Sequence, residues 1–125
     1  MANKILIADD SMLVRRQVTT ALTAAGYAVV EAVDGEDALR KTTPDMMLIV
    51  CDLNMPKMNG MEMLERLHAD PVLSTVPFVM LTTEARPGMF ERAKALGARA
   101  WLIKPFKADL LLAAIQKLAG TAKAS

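Results

Sequence analysis

The stretch MMLIVCDLNMPKMNG, residues 46–60, decides the fold. Its first six residues, Met46–Cys51, form an unbroken apolar run with Pro44-Asp45 before it and Asp52 after it. A run of that length between turn signals reads as a strand. With no polar positions alternating along it, the strand is buried on both faces, as in a parallel sheet covered by helices. Asp52–Asn59 then reads as a loop, and Gly60–Ala69 as a helix with Met61, Leu64 and Leu67 along one side. The strand therefore delivers a carboxylate, Asp52, to the lip of the sheet.

Outward from this unit the same alternation repeats. Lys4–Ala8 is a short buried strand, and Ser11 is placed to cap a helix carrying Val14, Val18, Ala21, Leu22 and Ala25 at helical spacing. Gly26 falls where a glycine ends that helix. Tyr27–Val33 is a second strand, and Asp34-Gly35 opens a short helix through Lys41. Pro77–Leu81 is a fourth strand, followed by a loop through Pro87 and a helix ending near Leu96-Gly97. Ala100–Ile103 is a fifth strand and Lys107–Leu118 a last helix, with Thr121–Ser125 small, polar and expected to fray. Five such βα units predict an α/β domain: a parallel sheet with right-handed crossovers and helices on both faces. Ligands of open sheets bind beyond the carboxyl ends of the strands, so the residues just past each strand are the ones to read.

Composition narrows the function further. The 125 residues carry 15 Lys+Arg against 14 Asp+Glu, a formal charge of +1, which gives no bulk electrostatic case for binding nucleic acid or a membrane surface. Cys51 is the single cysteine, so no intramolecular disulfide and no cysteine-based metal cluster can form. No apolar run is long enough to span a bilayer, and the amino-terminal apolar stretch is too brief for a signal-peptide core, so a cytoplasmic location is expected. The scattered glycines form neither a dinucleotide fingerprint nor a P-loop. Ten residues are Met, an excess that fits either a soft core or an adaptable binding surface.

At the strand ends lie Asp9-Asp10, Asp52, Thr82-Thr83-Glu84 and Lys104-Pro105-Phe106. Each set alone has an ordinary explanation as a helix cap, a turn or a loop acid. Together they bring carboxylates, a hydroxyl and an ammonium to one rim. Two carboxylates about 4 Å apart repel by roughly 4 kcal/mol at an effective dielectric near 20. A cation would hold such a cluster ionised, and an all-oxygen set without His or Cys selects a hard ion such as Mg²⁺. A carboxylate there can attack phosphorus, with Lys104 and Thr82 placed to stabilise the phosphoryl oxygens.

The blocks ILIADDS (5–11), DGEDAL (34–39), CDLNMPKMNG (51–60), VMLTTEA (79–85) and GARAWLIKPF (97–106) give the chain a specific likeness. It resembles the receiver domain of two-component response regulators, most closely the stand-alone CheY-type used in chemotaxis, over nearly its whole length. The resemblance implies a flavodoxin-like, doubly wound sheet of strand order 2-1-3-4-5 with five helices. It implies one receiver domain over 1–125, a frayed tail from about 119 to 125, and no output domain. By the same resemblance Asp52 is the phospho-acceptor, Asp10 the direct Mg²⁺ ligand, Asp9 a ligand largely through water, and Asn54 the source of a backbone carbonyl to the metal. Thr82 is the switch hydroxyl, Lys104 the phosphate-pairing lysine, and Trp101 the aromatic that follows Thr82 when the surface of helix four, strand five and helix five is remodelled. The backbones of Asn54 and Thr83 contact the phosphate, while the Asn54 and Glu84 side chains flank the hydrolytic water and imply a fast-decaying signal. The Lys104-Pro105 bond matches one that is commonly cis in the family.

The implied partners are a CheA-like histidine kinase, a flagellar switch or other motility protein, and a phosphatase. A monomer, or a dimer formed on phosphorylation, is expected. A phosphate sink or relay intermediate is the alternative role. A phosphatase of the haloacid dehalogenase type uses similar residues but needs D-x-D at its nucleophile, where this chain has Asp52-Leu53-Asn54. Among single residues, His68 reads as an exposed helix histidine, Cys51 as a buried inert thiol, and Arg15-Arg16 as the solvated side of the first helix. Six of the methionines fall between Met46 and Met63, which favours soft packing around the Asp52 loop over a docking groove.

Overall fold

The computed structural model describes residues 3–83 and 86–124, with side chains placed through Leu118. Five strands, β1 (Lys4–Ala8), β2 (Ala28–Ala32), β3 (Leu48–Cys51), β4 (Phe78–Thr82) and β5 (Ala98–Ile103), form one sheet in the order β2-β1-β3-β4-β5. Every pairing is parallel. Five helices alternate with them: α1 (Met12–Ala24), α2 (Gly35–Lys41), α3 (Gly60–Ala69), α4 (Pro87–Ala95) and α5 (Ala108–Ala124). The expected doubly wound fold and its strand order are therefore present.

Strand parity divides the interior in two. Leu6, Ala8, Ile49, Cys51, Phe78 and Met80 face one side of the sheet, where α2, α3 and α4 supply Ala38, Met63, Leu64 and Ala93. Ile5, Ile7, Leu48, Val50, Val79 and Leu81 face the other side, where α1 and α5 supply Val18, Leu22, Leu111 and Ile115. Period-two alternation along a strand buried on both faces requires this division. The methionines fall mainly on the first side: Met46, Met58, Met61, Met63 and Met80 are buried there. Their position bears out soft packing around the Asp52 loop.

Several boundaries differ from expectation for identifiable reasons. β3 starts at Leu48 because Met46 N–H closes a turn onto Thr43 O at 3.1 Å, although Met47 N–H still donates to Lys4 O at 2.8 Å. β4 begins after Pro77, which has no N–H to give but accepts from Ile49 N at 2.8 Å, and it extends to include Thr82. Leu73–Thr75 forms a short 3₁₀ turn that hydrophobic periodicity does not reveal. It is nucleated by Asp70 Oδ1, which accepts from Val72 N and Leu73 N. α5 continues past Leu118 to Ala124, through most of the stretch read as a frayed tail. The alanines there are the best helix formers, and one interior glycine costs only about 1 kcal/mol. Ser125 lies outside the described residues.

Candidate phosphoryl and metal site

β1, β3, β4 and β5 all end at the same rim, and each is followed or closed there by a residue of the set read from the sequence: Asp9-Asp10, Asp52, Thr82 and Lys104. After β1, the chain turns into α1, whose Ser11 Oγ accepts from Val14 N at 3.3 Å. Asp9 is 3% exposed and fixed at four atoms. Its N–H donates to Ala32 O at 3.1 Å, Oδ1 accepts from Ser11 N at 2.8 Å, Oδ2 accepts from Lys104 Nζ at 2.7 Å, and its carbonyl accepts from Arg15 Nη1 at 2.7 Å. Asp10 is exposed. β3 places Asp52, buried at 8% exposure, directly after Cys51, and Asp52 N–H donates to Ala8 O at 2.8 Å, tying the Asp52 loop to the end of β1.

Asp9, Asp10 and Asp52 each direct a carboxylate oxygen into one small space, the three lying within 4.8 Å of one another. Lys104 reaches across from the end of β5 and pairs with Asp9 at 2.7 Å and Asp52 at 3.4 Å. Burial pushes the Asp52 carboxyl above its ordinary pKa, and the Asp9 charge adds to the rise, while Lys104 opposes it. One ammonium thus serves two buried carboxylates. The donor set is all oxygen, carries more negative charge than Lys104 cancels, and has an exposed member in Asp10, which fits a hard divalent cation that keeps part of its water shell.

Thr82 closes β4 and is fully buried, and its carbonyl accepts from Lys104 N at 2.8 Å, so the hydroxyl-bearing strand and the lysine-bearing loop are hydrogen-bonded neighbours. Lys104-Pro105 is cis. Asn54 and Thr83 are exposed at the rim, and Glu84 lies outside the described residues. Trp101 stands on β5, half-buried, and meets Phe90 of α4 edge to face with ring centroids 6.4 Å apart. Aromatic pairs favour that arrangement.

The loop bearing Asp52 is built by close approach. A Cβ at Gly60 would lie 2.3 Å from Asp52 O, and a Cβ at Gly35 would lie 2.2 Å from Met58 O, so both positions require glycine. Gly35 N–H donates to Met58 O at 3.0 Å, and Lys57 adopts φ +67° between them. α3 then starts on a reciprocal cap, with Asn59 Oδ1 accepting from Glu62 N and Glu62 Oε1 accepting from Asn59 N.

His68 is exposed, as the sequence indicated. Cys51 is fully buried, and burial, with the charges of Asp52 and Asp9 added, raises its thiol far beyond the range in which a thiolate forms. Arg15 is a correction. Its side chain is only 12% exposed, bonded to Asp9 O and, through Nε, to Glu31 Oε1 at 3.0 Å, whereas Arg16 is the exposed member of the pair. Helical periodicity places both arginines on the polar side of α1. Only tertiary packing shows that one of them turns back over the β1 end.

Comparison with known proteins identifies the same domain. The response regulator receiver domain family matches residues 5–116. Chemotaxis protein CheY1 of Helicobacter pylori is 32% identical over 121 residues, spanning 94% of this chain and 98% of its own length. The structure of Vibrio cholerae chemotaxis protein CheY4 superposes with a TM-score of 0.85 at 37% identity, covering 94% of this chain and 99% of the other. The receiver domain of a sensor histidine kinase from Pseudomonas aeruginosa, solved with a magnesium ion coordinated in its active site cleft, superposes with a TM-score of 0.84 at 26% identity. That match covers 96% of this chain and 99% of the other.

Proposed function

The chain belongs to the response regulator receiver domain family, in its CheY-type form, and from that premise we propose that it is a phosphorylation switch acting in chemotaxis. The observation that carries the proposal is the bridging of Asp9 and Asp52 by Lys104 beside an exposed Asp10, a rim charged to receive a cation and a phosphoryl group together. Receiver domains regulate and turn over no outside metabolite. In the proposed step an Asp52 carboxylate oxygen attacks the phosphorus of a phosphohistidine on a histidine kinase. The O–P bond forms as the P–N bond breaks, and the imidazole leaves with the electron pair and takes up a proton. Water later attacks the same phosphorus, releasing inorganic phosphate and restoring the Asp52 carboxylate.

Asp9, Asp10, Asp52 and the Asn54 carbonyl would hold Mg²⁺, in keeping with the ion found in the Pseudomonas receiver domain. When bound, Mg²⁺ supplies charge neutralisation for the acidic cluster and for the incoming phosphoryl oxygens. Lys104 is the pairing cation that moves from the carboxylates to the phosphoryl group, and Thr82 donates its hydroxyl to the same group. Loss of Lys104 from Asp52 and displacement of Thr82 couple the rim to Trp101 on β5 and thence to α4, the surface a motility partner would read. Asn54 and Glu84 set the access of water and with it a signal lifetime of seconds to minutes.

Intact mass after incubation with Mg²⁺ and acetyl phosphate tests the reading. The wild-type chain gains one phosphoryl group, Asp52→Asn gains none, and chelation of the metal abolishes the gain. Equal labelling of Asp52→Asn, or an unmodified wild type, overturns it.

A further inference from the structure

Asp9 is held at more points than its own side chain explains, and the extra constraint comes from α1. Arg15 lies one turn into that helix, and its guanidinium folds back rather than out. Nη1 donates to the Asp9 carbonyl at 2.7 Å, and Nε donates to Glu31 Oε1 at 3.0 Å. Glu31 sits on β2 opposite Ile7, two residues before Asp9, and its own carbonyl accepts from Lys41 Nζ at 2.8 Å. The acceptor side of the clamp is thereby anchored to both β2 and α2.

The carbonyl that Arg15 grips belongs to the peptide joining Asp9 to Asp10. A peptide unit is planar, so fixing its oxygen fixes the plane and the direction in which Asp10 leaves the chain. The N–H at the other side of Asp9 is fixed by Ala32 O. With the Asp9 side chain held by Ser11 N and Lys104 Nζ, little freedom remains in Asp9. Asp10, exposed and without such anchors among the described residues, depends on that peptide plane for its position. Resting on the reading of this rim as a Mg²⁺ site, we infer that Arg15 is a positioning residue for the Asp9–Asp10 ligand pair, with Glu31 as the counter-anchor that aims its guanidinium.

The chemistry of the clamp supports arginine specifically. Two acceptors in different directions, a neutral carbonyl and a carboxylate, are met at once by a planar fork, which a lysine ammonium on its flexible stem does not reproduce. The Arg15 charge is balanced by Glu31 at 3.0 Å, so its effect on the rim is geometric and not a net positive field.

That distinction gives a test in which two explanations differ in sign. Removing a cation beside an acidic cluster should tighten Mg²⁺ binding if charge is what matters. Removing a positioning residue should weaken it. Mg²⁺ affinity is measured by titration calorimetry on the wild-type chain and on Arg15→Met, Arg15→Lys, Glu31→Ala, the Arg15→Met/Glu31→Ala double variant, and Arg16→Met as a control for the lost charge. Arg15→Met is expected to weaken Mg²⁺ about 10–100-fold, the scale found for residues that orient metal ligands. Arg15→Lys falls between it and wild type, the double variant is no weaker than Arg15→Met, and Arg16→Met is unchanged. Mg²⁺ affinity that is equal or tighter in Arg15→Met, with only a lowered melting temperature, overturns the inference while leaving the metal site intact. A wild-type chain that binds no Mg²⁺ overturns the metal site itself. Should Arg15→Met fail to fold, Arg15→Lys and Glu31→Ala carry the same comparison, and wild-type affinity in both rejects the clamp.

Discussion

Asp52 costs the folded chain more as an anion than it costs the unfolded one. Burial and the nearby Asp9 raise its pKa above the ordinary 3.8, and Lys104 only partly offsets them. At low pH both states hold the proton and the group contributes nothing. As pH rises from 3.8 through the raised folded value, the unfolded chain releases its proton first, stability falls, and the loss is then constant. Asp52→Asn removes that cost. In metal-free buffer the variant is therefore expected to melt above the wild type at neutral pH, with the advantage vanishing below pH 3.8; thermal melts across that range check it. At this scale much of the rim was legible: a carboxylate, lysine or threonine immediately past a buried strand has little choice of location. Arg15 was not legible, because a helix periodicity says which side is polar but not which long cation bends back over a neighbouring loop. Nor was the φ of +67° at Lys57, which sits at the centre of a tight turn in which Met58 N–H donates to Pro56 O at 2.7 Å and which no preference of lysine announces.

Between elements, the contrast of α3 and α4 matters most. α3 is locked by its reciprocal Asn59–Glu62 cap and buries Met61, Met63, Leu64 and Leu67. α4 has no side-chain cap hydrogen bond at Arg86, starts on Pro87, and buries Ala93 alone, with Phe90 left 43% exposed against Trp101. Little apolar burial and an uncapped end place α4 at the low-stability end of the fold. Native-state hydrogen exchange is expected to release the amides of α4 well before those of α3, and matching protection in both helices would contradict it. The bounds of α3 were readable to the residue because cap, apolar stripe and terminal acid all sit in local sequence. The 3₁₀ turn at Leu73–Thr75 and the run of α5 to Ala124 were not, since neither carries an apolar period of its own.

At the scale of the whole molecule, the sheet separates two interiors of different chemistry. On the α1/α5 side the buried side chains are Ile, Val and Leu throughout, and on the α2/α3/α4 side five are Met. Branched side chains hold one or two rotamers, while Met has three rotatable bonds and fills irregular space. Met63→Leu is expected to cost less than about 1.5 kcal/mol. Ile7→Ala, across the sheet, is expected to cost about 2–5 kcal/mol. Chemical denaturation of the two variants measures both, and a Met63→Leu loss well above that bound would show a methionine side that does not refit. Strand parity made this division foreseeable in outline, because alternate residues of Met46–Cys51 must go to opposite sides.

The division also bears on how the chain can change over generations. A change of volume behind α1 and α5 meets branched side chains with few rotamers, while one behind α2, α3 and α4 meets methionines able to refit around it. Mutational tolerance is therefore expected to differ between the two sides of one sheet.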